Sequence, residues 1–354
     1  MCRDISVVIP TYNSSQFIRE TLKSVFAQAR RPGEIIVVDD ASTDETPAIV
    51  EAMAAETTVP LRLIQLPKRT GGPATPMNVG IEAARGEYIA ILDHDDLMLP
   101  HKLAAQGNVL DNHPSLEMVL GDYEFLIEDH VCQRTGVWPW QNCSSSDGSV
   151  GNPTLHILQP GISRCALLTG NLLGLSCSNY FFRKALWHRL SGFSCDADIS
   201  TDYDFLLRAA GRPIGWLESI LFAKRQHDSN LCQPTPQNML LAMRIRGRWL
   251  RSNRRMFGNG LRGQAIWRAA YASVLREHAT WYFQNGQGKS GLVKLVKAAF
   301  TWPFFNPWPM IKTCLEYLLG PRVYNSARAV VRTVFPRRRQ NVQSEHNTWK
   351  SLAF

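Results

Sequence analysis

The amino-terminal part of the chain alternates between short apolar runs rich in β-branched residues and segments whose apolar residues recur with helical spacing. Runs of the first kind are typical of strands that are buried on both faces of a parallel sheet. The predicted strands cover 5–10, 35–38, 61–66 and 88–92. The helices predicted between them are one that Ser14 and Ser15 can cap, then 47–55 and 74–84. This order predicts an α/β fold with a doubly wound, mostly parallel sheet, which binds ligands beyond the carboxyl ends of its strands.

The pattern changes after about residue 130. Residues 130–175 are rich in Ser, Gly, Pro and Asn, and they are interpreted as an irregular loop or lid. Further strands are predicted at 180–182 and 214–222, and further helices at 183–190 and 202–210. From about residue 236 the pattern is helical, interrupted by Pro303, Pro307 and Pro309. The predicted organisation is an α/β domain (1–233), a basic helical region (234–335) and a polar tail (336–354) expected to be disordered.

The amino-terminal and carboxyl-terminal parts of the chain carry net charges of opposite sign. Residues 1–233 hold 19 Lys and Arg against 27 Asp and Glu, a net charge of −8. Residues 234–354 hold 20 against 3, a net charge of +17, so the two regions are expected to meet different partners. The eight cysteines form no CxxC pair, which argues against a zinc ribbon or a redox motif. No long apolar segment opens the chain, and a reduced, cytoplasmic compartment is predicted.

Polar residues directly follow three of the predicted strands. Thr11-Tyr12-Asn13 follows the first strand, Asp39-Asp40 the second and Asp93-His94-Asp95-Asp96 the fourth. A single aspartate after a strand is often only a turn former or a helix cap, but three such clusters in order indicate a ligand site. Three carboxylates within four residues repel one another, and a divalent cation relieves that repulsion. Oxygen ligands suit Mg²⁺ or Mn²⁺, which such sites hold together with substrate phosphates.

These motifs, in this order, resemble the family 2 glycosyltransferases with the GT-A fold. The segments that carry the resemblance are VVIPTYN, IIVVDDASTD, GGPATPMNVGIEAARGEYIAILDHDD, SNYFFRKALWHRLSGF, STDYDFLLRAAG and AKRQHDSNL. The resemblance covers roughly residues 4–231, and it is specific for the family but not for the sugar. It implies an inverting transferase that moves a sugar from a nucleoside diphosphate sugar, UDP by family habit, to a hydroxyl of a glycan or lipid-linked acceptor.

The resemblance also implies roles for single residues. The expected substrate-binding residues are Thr11, Tyr12, Asn13, Asp40, Asn78, Asp93 and Asp95. Among these, Asp40 would accept a hydrogen bond from the base, and Asp93 and Asp95 would form the DxD motif. Asp202 aligns with the catalytic base, and His227 falls in the segment near the diphosphate. Asp95 and His227 are the expected ligands of Mn²⁺ or Mg²⁺.

Elementary chemistry agrees with these roles. A cation on the diphosphate offsets the charge of the departing nucleotide, and one carboxylate opposite the leaving group takes the proton of the acceptor hydroxyl. Asp202 opens a predicted helix, so a plain capping role is the alternative, and Asp204 competes with it for the role of base. His227 is alternatively an ordinary surface histidine.

Two positions depart from the family pattern. Thr201 precedes the base, where the family often has Glu. Met77 stands before Asn78, where the family usually has Arg, and Met cannot replace that charge. Lys68 and Arg69 lie just upstream and are the cations that could compensate.

Other functions fit the sequence less well. A dinucleotide oxidoreductase needs G-x-G-x-x-G after the first strand, where this chain has TYNSS. A sugar nucleotidyltransferase usually carries a Gly-rich basic loop there. The departures at Met77 and Thr201 also leave open a catalytically degenerate transferase that binds sugar nucleotide or serves as a membrane scaffold.

The basic carboxyl-terminal region is predicted to dock on a membrane surface. Apolar residues within 290–320 alternate with Lys294 and Lys297 and continue into Trp302, Phe304, Phe305 and Trp308, a pattern typical of interfacial segments. The prolines and lysines interrupt any run long enough to span a bilayer. A solvated helical surface is the simpler alternative, and no nucleic-acid-binding module is recognisable. The predicted location is therefore cytoplasmic, peripheral on the inner face of the cell membrane.

Overall fold

The computed structural model describes residues 4–127, 130–135, 153–160, 167, 176–195, 201–227, 230, 236–252, 254 and 261–301. The chain divides into two compact units, 1–234 and 235–354. Each unit is described by itself below.

The first unit is built on one mixed sheet. Its strands are β1 (Ile5–Thr11), β2 (Glu34–Asp39), β3 (Leu61–Gln65), β4 (Tyr88–Ile91), β5 (Leu97–Met98), β6 (Met118–Ile127), β7 (His130–Thr135), β8 (Leu155–Leu158), β9 (Phe181–Arg183) and β10 (Ile214–Gln226). Its helices are α1 (Ile18–Phe26), α2 (Thr46–Ala54), α3 (Ala74–Ala83), α4 (Lys102–Asn112), α5 (Lys184–Arg189) and α6 (Thr201–Ala209).

The strand order is β3-β2-β1-β4-β9-β6-β10-β5, with β7 beside β6 and β8 beside β10. The part formed by β3, β2, β1 and β4 is parallel, as predicted, and so is the β6–β10 pair. Strand β9 runs antiparallel to both of its neighbours, and β5, β7 and β8 are also antiparallel. The doubly wound α/β prediction is confirmed, although the sheet is more mixed than a mostly parallel one.

Both faces of the parallel part are buried, which explains its continuous apolar runs. Every residue of β1 and β2 is buried. On one face, Val7, Ile9 and Val37 share a core with apolar side chains of α1 and α2. On the other face, α3 approaches so closely that a Cβ at Gly80 would lie 2.5 Å from Val8 Cγ1. Because helices hold both faces, the strand ends and the loops after them are left to carry the polar clusters.

Three predictions of detail differ from the structure. Helix α1 has Phe17 as its N-cap, and the Ser14 carbonyl, not a serine hydroxyl, accepts the N–H groups of Phe17 and Ile18. The Ser14 hydroxyl is instead hydrogen-bonded to Thr11 Oγ1. The segment interpreted as an irregular loop contains β7 and β8, and its Trp138 and Trp140 lie outside the described residues. Strand β10 is also longer than predicted and continues to Gln226.

The second unit begins with helices, as the pattern predicts from residue 236. They are α7 (Pro236–Ser252), α8 (Leu261–Gln284) and α9 (Gly288–Thr301). Trp302, Phe304, Phe305, Trp308, the three prolines and the predicted polar tail lie outside the described residues. Among the helices described, none is long and apolar enough to cross a membrane.

Candidate active site

A cavity of about 420 Å³ lies where the loops after β1, β2 and β4 meet the start of α6 and the end of β10. Its lining includes most of the residues that the sequence singled out: Thr11, Tyr12, Asn13, Asp40, Asp93, Asp95, Asp202 and His227. These residues come from five separate segments. The fold therefore brings the predicted donor-binding and base residues to one place.

The loop after β4 is held in shape by a short turn that precedes β9. Ser178 Oγ accepts the N–H of Asp93 at 2.9 Å and donates to Asp96 Oδ2 at 2.6 Å. Ser176 Oγ lies 3.2 Å from Asp93 Oδ2 and 3.3 Å from Asp96 Oδ2. The N–H of Arg225 on β10 donates to the other oxygen of Asp96 at 3.0 Å. Asp96 therefore joins three segments of the chain, while Asp93 and Asp95 line the cavity beside it.

Asp95 meets His227 across the cavity. His227 Nε2 lies 3.0 Å from Asp95 Oδ2, and Asn230 Nδ2 donates to the same oxygen at 3.0 Å. The His227 ring stacks on Phe17 at a centroid distance of 4.4 Å. Arg225 Nε donates to the Asp95 carbonyl at 3.1 Å, which fixes the backbone of this residue. Asp95 and His227 are thus paired through the side-chain atoms that the sequence analysis expects to bind metal.

The carboxylates of this loop differ in how easily they ionise. Burial and the charge of Asp95 raise the pKa of Asp93, with Lys224, His94 and Ser176 opposing the shift. Burial and the charges of Asp95 and Asp93 raise the pKa of Asp96 well above its usual value. Burial also acts to raise the pKa of Asp95, but the hydrogen bond from His227 and the neighbouring histidine charges outweigh it, so this pKa is lowered. Asp95 is therefore the member of the cluster best able to present a negative charge.

These residues fit a divalent cation that is shared with a phosphate ligand. A carboxylate oxygen and an imidazole nitrogen are a donor set that Mn²⁺ accepts, and the crowded carboxylates hold excess negative charge for a cation to offset. Within the described part of the chain, no three acidic, His or Cys side chains are grouped to hold a metal by themselves. Phosphate oxygens or water would have to supply the remaining ligands.

Asp202 faces the same cavity from the first turn of α6. It is buried, and its Oδ1 accepts the N–H of Tyr203 at 2.7 Å, while its carbonyl accepts the Tyr180 hydroxyl at 2.9 Å. Burial raises the pKa of Asp202 to about 6; the Tyr203 N–H and the charge of Lys224 oppose this shift, and the charge of Asp93 adds to it. A carboxyl with a raised pKa that still ionises near neutral pH has the properties of a general base.

Asp204, the alternative candidate for the base, is paired with an arginine outside the cavity lining. Its Oδ2 accepts Arg208 Nε at 2.9 Å and pairs with Arg208 Nη2 at 2.7 Å, one helical turn away. It is not among the residues that line the cavity. The geometry therefore favours Asp202 over Asp204 as the base.

Asn78 does not have the place expected of a substrate-binding residue. Its side-chain amide donates to the Phe193 carbonyl at 2.8 Å, and its oxygen accepts the Phe193 N–H at 2.8 Å and Trp187 Nε1 at 3.1 Å. It is absent from the described lining of the cavity. The amide is bonded to Trp187 in α5 and to Phe193 in the loop that follows, so Asn78 supports this loop. Met77, the position that departs from the family pattern, is fully buried and also lies outside the lining.

The part of the cavity where the sequence predicts nucleotide binding is formed by the loops after β1, β2 and β3. Asp40 accepts the Thr70 N–H at 2.9 Å and the Thr70 hydroxyl at 2.8 Å, so it anchors the loop that carries Arg69. Asn13 Oδ1 accepts the Thr43 N–H at 2.8 Å, which ties two of these loops together. Thr11 is buried, whereas Tyr12 is half-buried and faces Arg69.

Three groups of residues at the site are not predicted from the sequence. They are Lys224, Ser176 with Ser178 behind it, and Phe17, on which the His227 ring stacks. Strand periodicity was a usable signal for Lys224, because Lys224 and Gln226 alternate with Arg225 and both line the cavity. The serines carry no comparable signal, since their partners lie 80 and 82 residues earlier in the chain.

Known proteins resemble this chain in sequence and in fold. Residues 6–130 match the model of the glycosyl transferase family 2. The matched segment is about a third of the chain. An uncharacterized glycosyltransferase of Rickettsia felis is 31% identical over 233 residues, covering 64% of this chain and 35% of the relative. The poly(ribitol-phosphate) β-N-acetylglucosaminyltransferase TarS of Staphylococcus aureus is 38% identical over 112 residues, covering 31% of this chain and 19% of TarS. The chain thus spans about a third of the first relative's length and a fifth of TarS.

Solved structures confirm the fold. The crystal structure of S. aureus TarS 1–349 in complex with UDP has a TM-score of 0.54 and 21% identity, covering 90% of this chain and 92% of that one. The mannosyltransferase PcManGT from Pyrobaculum calidifontis, in complex with GDP-Man and Mn²⁺, has a TM-score of 0.52 and 19% identity, with 92% and 88% coverage. The first unit holds 234 of the 354 residues, about 66%, so both matches extend into the second unit.

Proposed function

We propose that this protein is a metal-dependent, inverting glycosyltransferase of family 2. It moves a sugar from a nucleoside diphosphate sugar to a hydroxyl of a glycan or lipid-linked acceptor, as in surface polysaccharide synthesis. The observation that carries the proposal is the meeting of Asp93, Asp95, Asp202 and His227 in one cavity. Such a cavity offers both a carboxylate base and a place for a diphosphate, which are the two requirements of a single displacement.

Asp202 takes the proton of the acceptor hydroxyl in this mechanism. Its buried carboxylate lies in the cavity beside the charge of Lys224, which keeps the ionised form available despite burial. The hydroxyl oxygen attacks the anomeric carbon as the bond to the diphosphate breaks, and the proton goes to Asp202. One displacement inverts the anomeric centre, so no second nucleophile is needed.

Asp95 and His227 would hold Mn²⁺ or Mg²⁺, with Asp93 beside them. When bound, the cation supplies positive charge that stabilises the departing nucleoside diphosphate. The turn residues Ser176 and Ser178 keep the carboxylate loop in place, and Arg225 fixes the Asp95 backbone. These contacts order the loop before any ligand arrives, which lowers the cost of binding.

The nucleotide is assigned to the part of the cavity that Thr11, Tyr12, Asn13 and Asp40 line. The tyrosine ring offers a flat surface for a base. Asp40 can accept a base N–H at Oδ2 while its Oδ1 keeps the bonds from the Thr70 N–H and hydroxyl. The complexes of TarS with UDP and with UDP-GlcNAc support UDP as the nucleotide.

A donor screen tests the proposed function. Purified protein is incubated with UDP-, GDP- and dTDP-sugars in the presence of Mn²⁺ or Mg²⁺, and released nucleoside diphosphate is measured. We expect release from at least one UDP-sugar above the rate without enzyme. Binding without any release, with or without candidate acceptors, would instead support the degenerate, sugar-nucleotide-binding alternative. No binding of any sugar nucleotide would contradict both.

The second unit is proposed to place the enzyme on the cytoplasmic membrane surface. Helix α9 packs one side on α8, where Gly291 lies against Phe283 and Ala298 is buried. Its other side exposes the apolar side chains of Leu292, Val293, Val296 and Phe300, with Phe300 87% exposed. The lysines of α9 and the +17 net charge of residues 234–354 complement an anionic bilayer.

Sedimentation with liposomes tests this placement in the full-length protein. We expect co-sedimentation with anionic but not with neutral vesicles, and release at high salt, because salt screens the charge attraction. The double variant Val293→Ser/Phe300→Ser should bind at least about tenfold more weakly, since it removes exposed apolar surface. Replacing the exposed polar Gln287 by Ser is the matched control. If the double variant and the control sediment equally with anionic vesicles, or if the wild type sediments with neither lipid, the helices of the second unit present only a solvated surface.

A further inference from the structure

Arg69 covers the ring on which a nucleobase is expected to stack. Its guanidinium carbon lies 4.0 Å from the centre of the Tyr12 ring, and both residues line the cavity. Arg69 is exposed, and within the described part of the chain its charge is not paired with a carboxylate. Its observed contact is thus a cation–π contact, which at an exposed site is worth only about 0.5–1 kcal/mol and is easily exchanged.

A base and Arg69 cannot occupy this face of Tyr12 together. Stacked aromatic rings have centroids about 4.5–7 Å apart, and the guanidinium at 4.0 Å fills that space. A base that stacks on the covered face must therefore displace the Arg69 side chain. The displaced guanidinium of Arg69 can then bind the next part of the same ligand.

The backbone beside Arg69 stays anchored during such an exchange. The carboxylate of Asp40 holds the N–H of Thr70 at 2.9 Å and its hydroxyl at 2.8 Å. Gly71, with φ of +90°, lets the loop reverse its direction immediately afterwards. The expected motion is therefore a rotation of the Arg69 side chain about a fixed loop.

The charge of the cavity indicates where this side chain goes. Asp93, Asp95 and Asp202 line the cavity and disfavour a diphosphate unless cations offset them. Arg69 and Lys224 are the arginine and lysine side chains in the described lining. An arginine fork binds phosphate oxygens with paired, charge-assisted hydrogen bonds.

From these observations, and on the basis of the proposed function, we infer that Arg69 is a donor-binding residue with two positions. In the free protein it covers Tyr12. When a nucleoside diphosphate sugar binds, the base takes its place on the ring and Arg69 pairs with the diphosphate.

Calorimetry with UDP and with uridine separates this role from others, because only UDP carries the diphosphate. The full-length wild type, Arg69→Met and Lys68→Met are titrated with each ligand in one buffer containing Mg²⁺. Arg69→Met should bind UDP roughly 10–100-fold more weakly, the usual worth of a charge-assisted bond. The same variant should bind uridine as tightly as the wild type or more tightly, because the Tyr12 face is already open. Lys68→Met, the matched loss of an exposed neighbouring charge, should weaken UDP binding less than about threefold.

The other outcomes overturn the inference in distinguishable ways. If Arg69→Met changes UDP and uridine binding by the same factor, Arg69 is only a cover for Tyr12. If Lys68→Met loses as much UDP affinity as Arg69→Met, general charge rather than this side chain is responsible. A wild-type protein that binds none of UDP, GDP and dTDP contradicts the proposed function itself.

Discussion

Replacing Asp202 with asparagine is expected to lower sugar transfer by roughly 10²–10⁴-fold while leaving donor binding nearly unchanged, because the change removes only the group that accepts the proton. Asparagine keeps the shape of the side chain and an oxygen for the Tyr203 N–H, which Asp202 accepts at 2.7 Å. Transfer is measured as sugar on the acceptor, and donor binding by calorimetry with UDP.

Asp204→Asn is the matched control, since it removes a carboxylate two residues away that pairs with Arg208 outside the cavity lining. It should retain most of the activity. An inactive Asp204→Asn together with an active Asp202→Asn would show that the wrong carboxylate has been assigned.

The pH dependence of the wild type gives the same base a second signature. Burial raises the pKa of Asp202 to about 6, and a general base works only when it is deprotonated. The transfer rate should therefore be full above this pKa and fall as the pH is lowered through about 6. A rate that stays constant down to pH 5 would contradict the assignment.

Asp95→Asn is expected to lower activity at least ~100-fold, because it removes the charged ligand of the cation that stabilises the leaving group. The asparagine can still accept hydrogen bonds from His227 and Asn230, so the loss of charge is separated from the loss of contacts. EDTA should inactivate the wild type in the same way, and added Mn²⁺ should restore it. Nucleotide release from the donor is the measurement.

Glu56→Gln is the control for Asp95, since it makes the same chemical change at an exposed carboxylate that pairs with Arg19 on the surface. It should behave like the wild type. Full activity of the wild type in EDTA, in protein shown to be free of metal, would rule out this role for Asp95.

The parallel half of the fold was predictable because its strands are short and buried on both faces. Strand β1 is one residue longer than predicted at its carboxyl end, and β2 is one residue longer at each end. The agreement is close because every position in these strands is buried, and apolar runs mark such strands directly. Strand β7, with the sequence HVCQRT, shows no such run and was missed. A partly polar strand beside one neighbour is not distinguished from a loop by its composition.

The site was predictable where residues follow strands and not where it depends on contacts between distant segments. Asp93 and Asp95 follow β4, whereas Asp202 and His227 are assigned by the family resemblance, and all four line the cavity. Asn78 was assigned to substrate, whereas its amide is used by Phe193 and Trp187 more than 100 residues later. No local pattern reveals which partner a buried amide has, so this role needed the structure.

The carboxyl-terminal part of β10 limits where this strand can accept an inserted or deleted residue. Its pairing with β6 shifts register between Leu217 and Ile220 and again between Ile220 and Phe222, but it is regular from Phe222 to Gln226. Inserting one residue in this regular stretch would move the side chains of Lys224 and Arg225 to the opposite faces of the sheet. Each cation would then lie on the face where the other lies now. An insertion near the shifts can be absorbed there without reaching the cavity. Insertions and deletions in natural variants of this strand should therefore fall before Phe222. After Phe222, natural variants should differ only by substitutions.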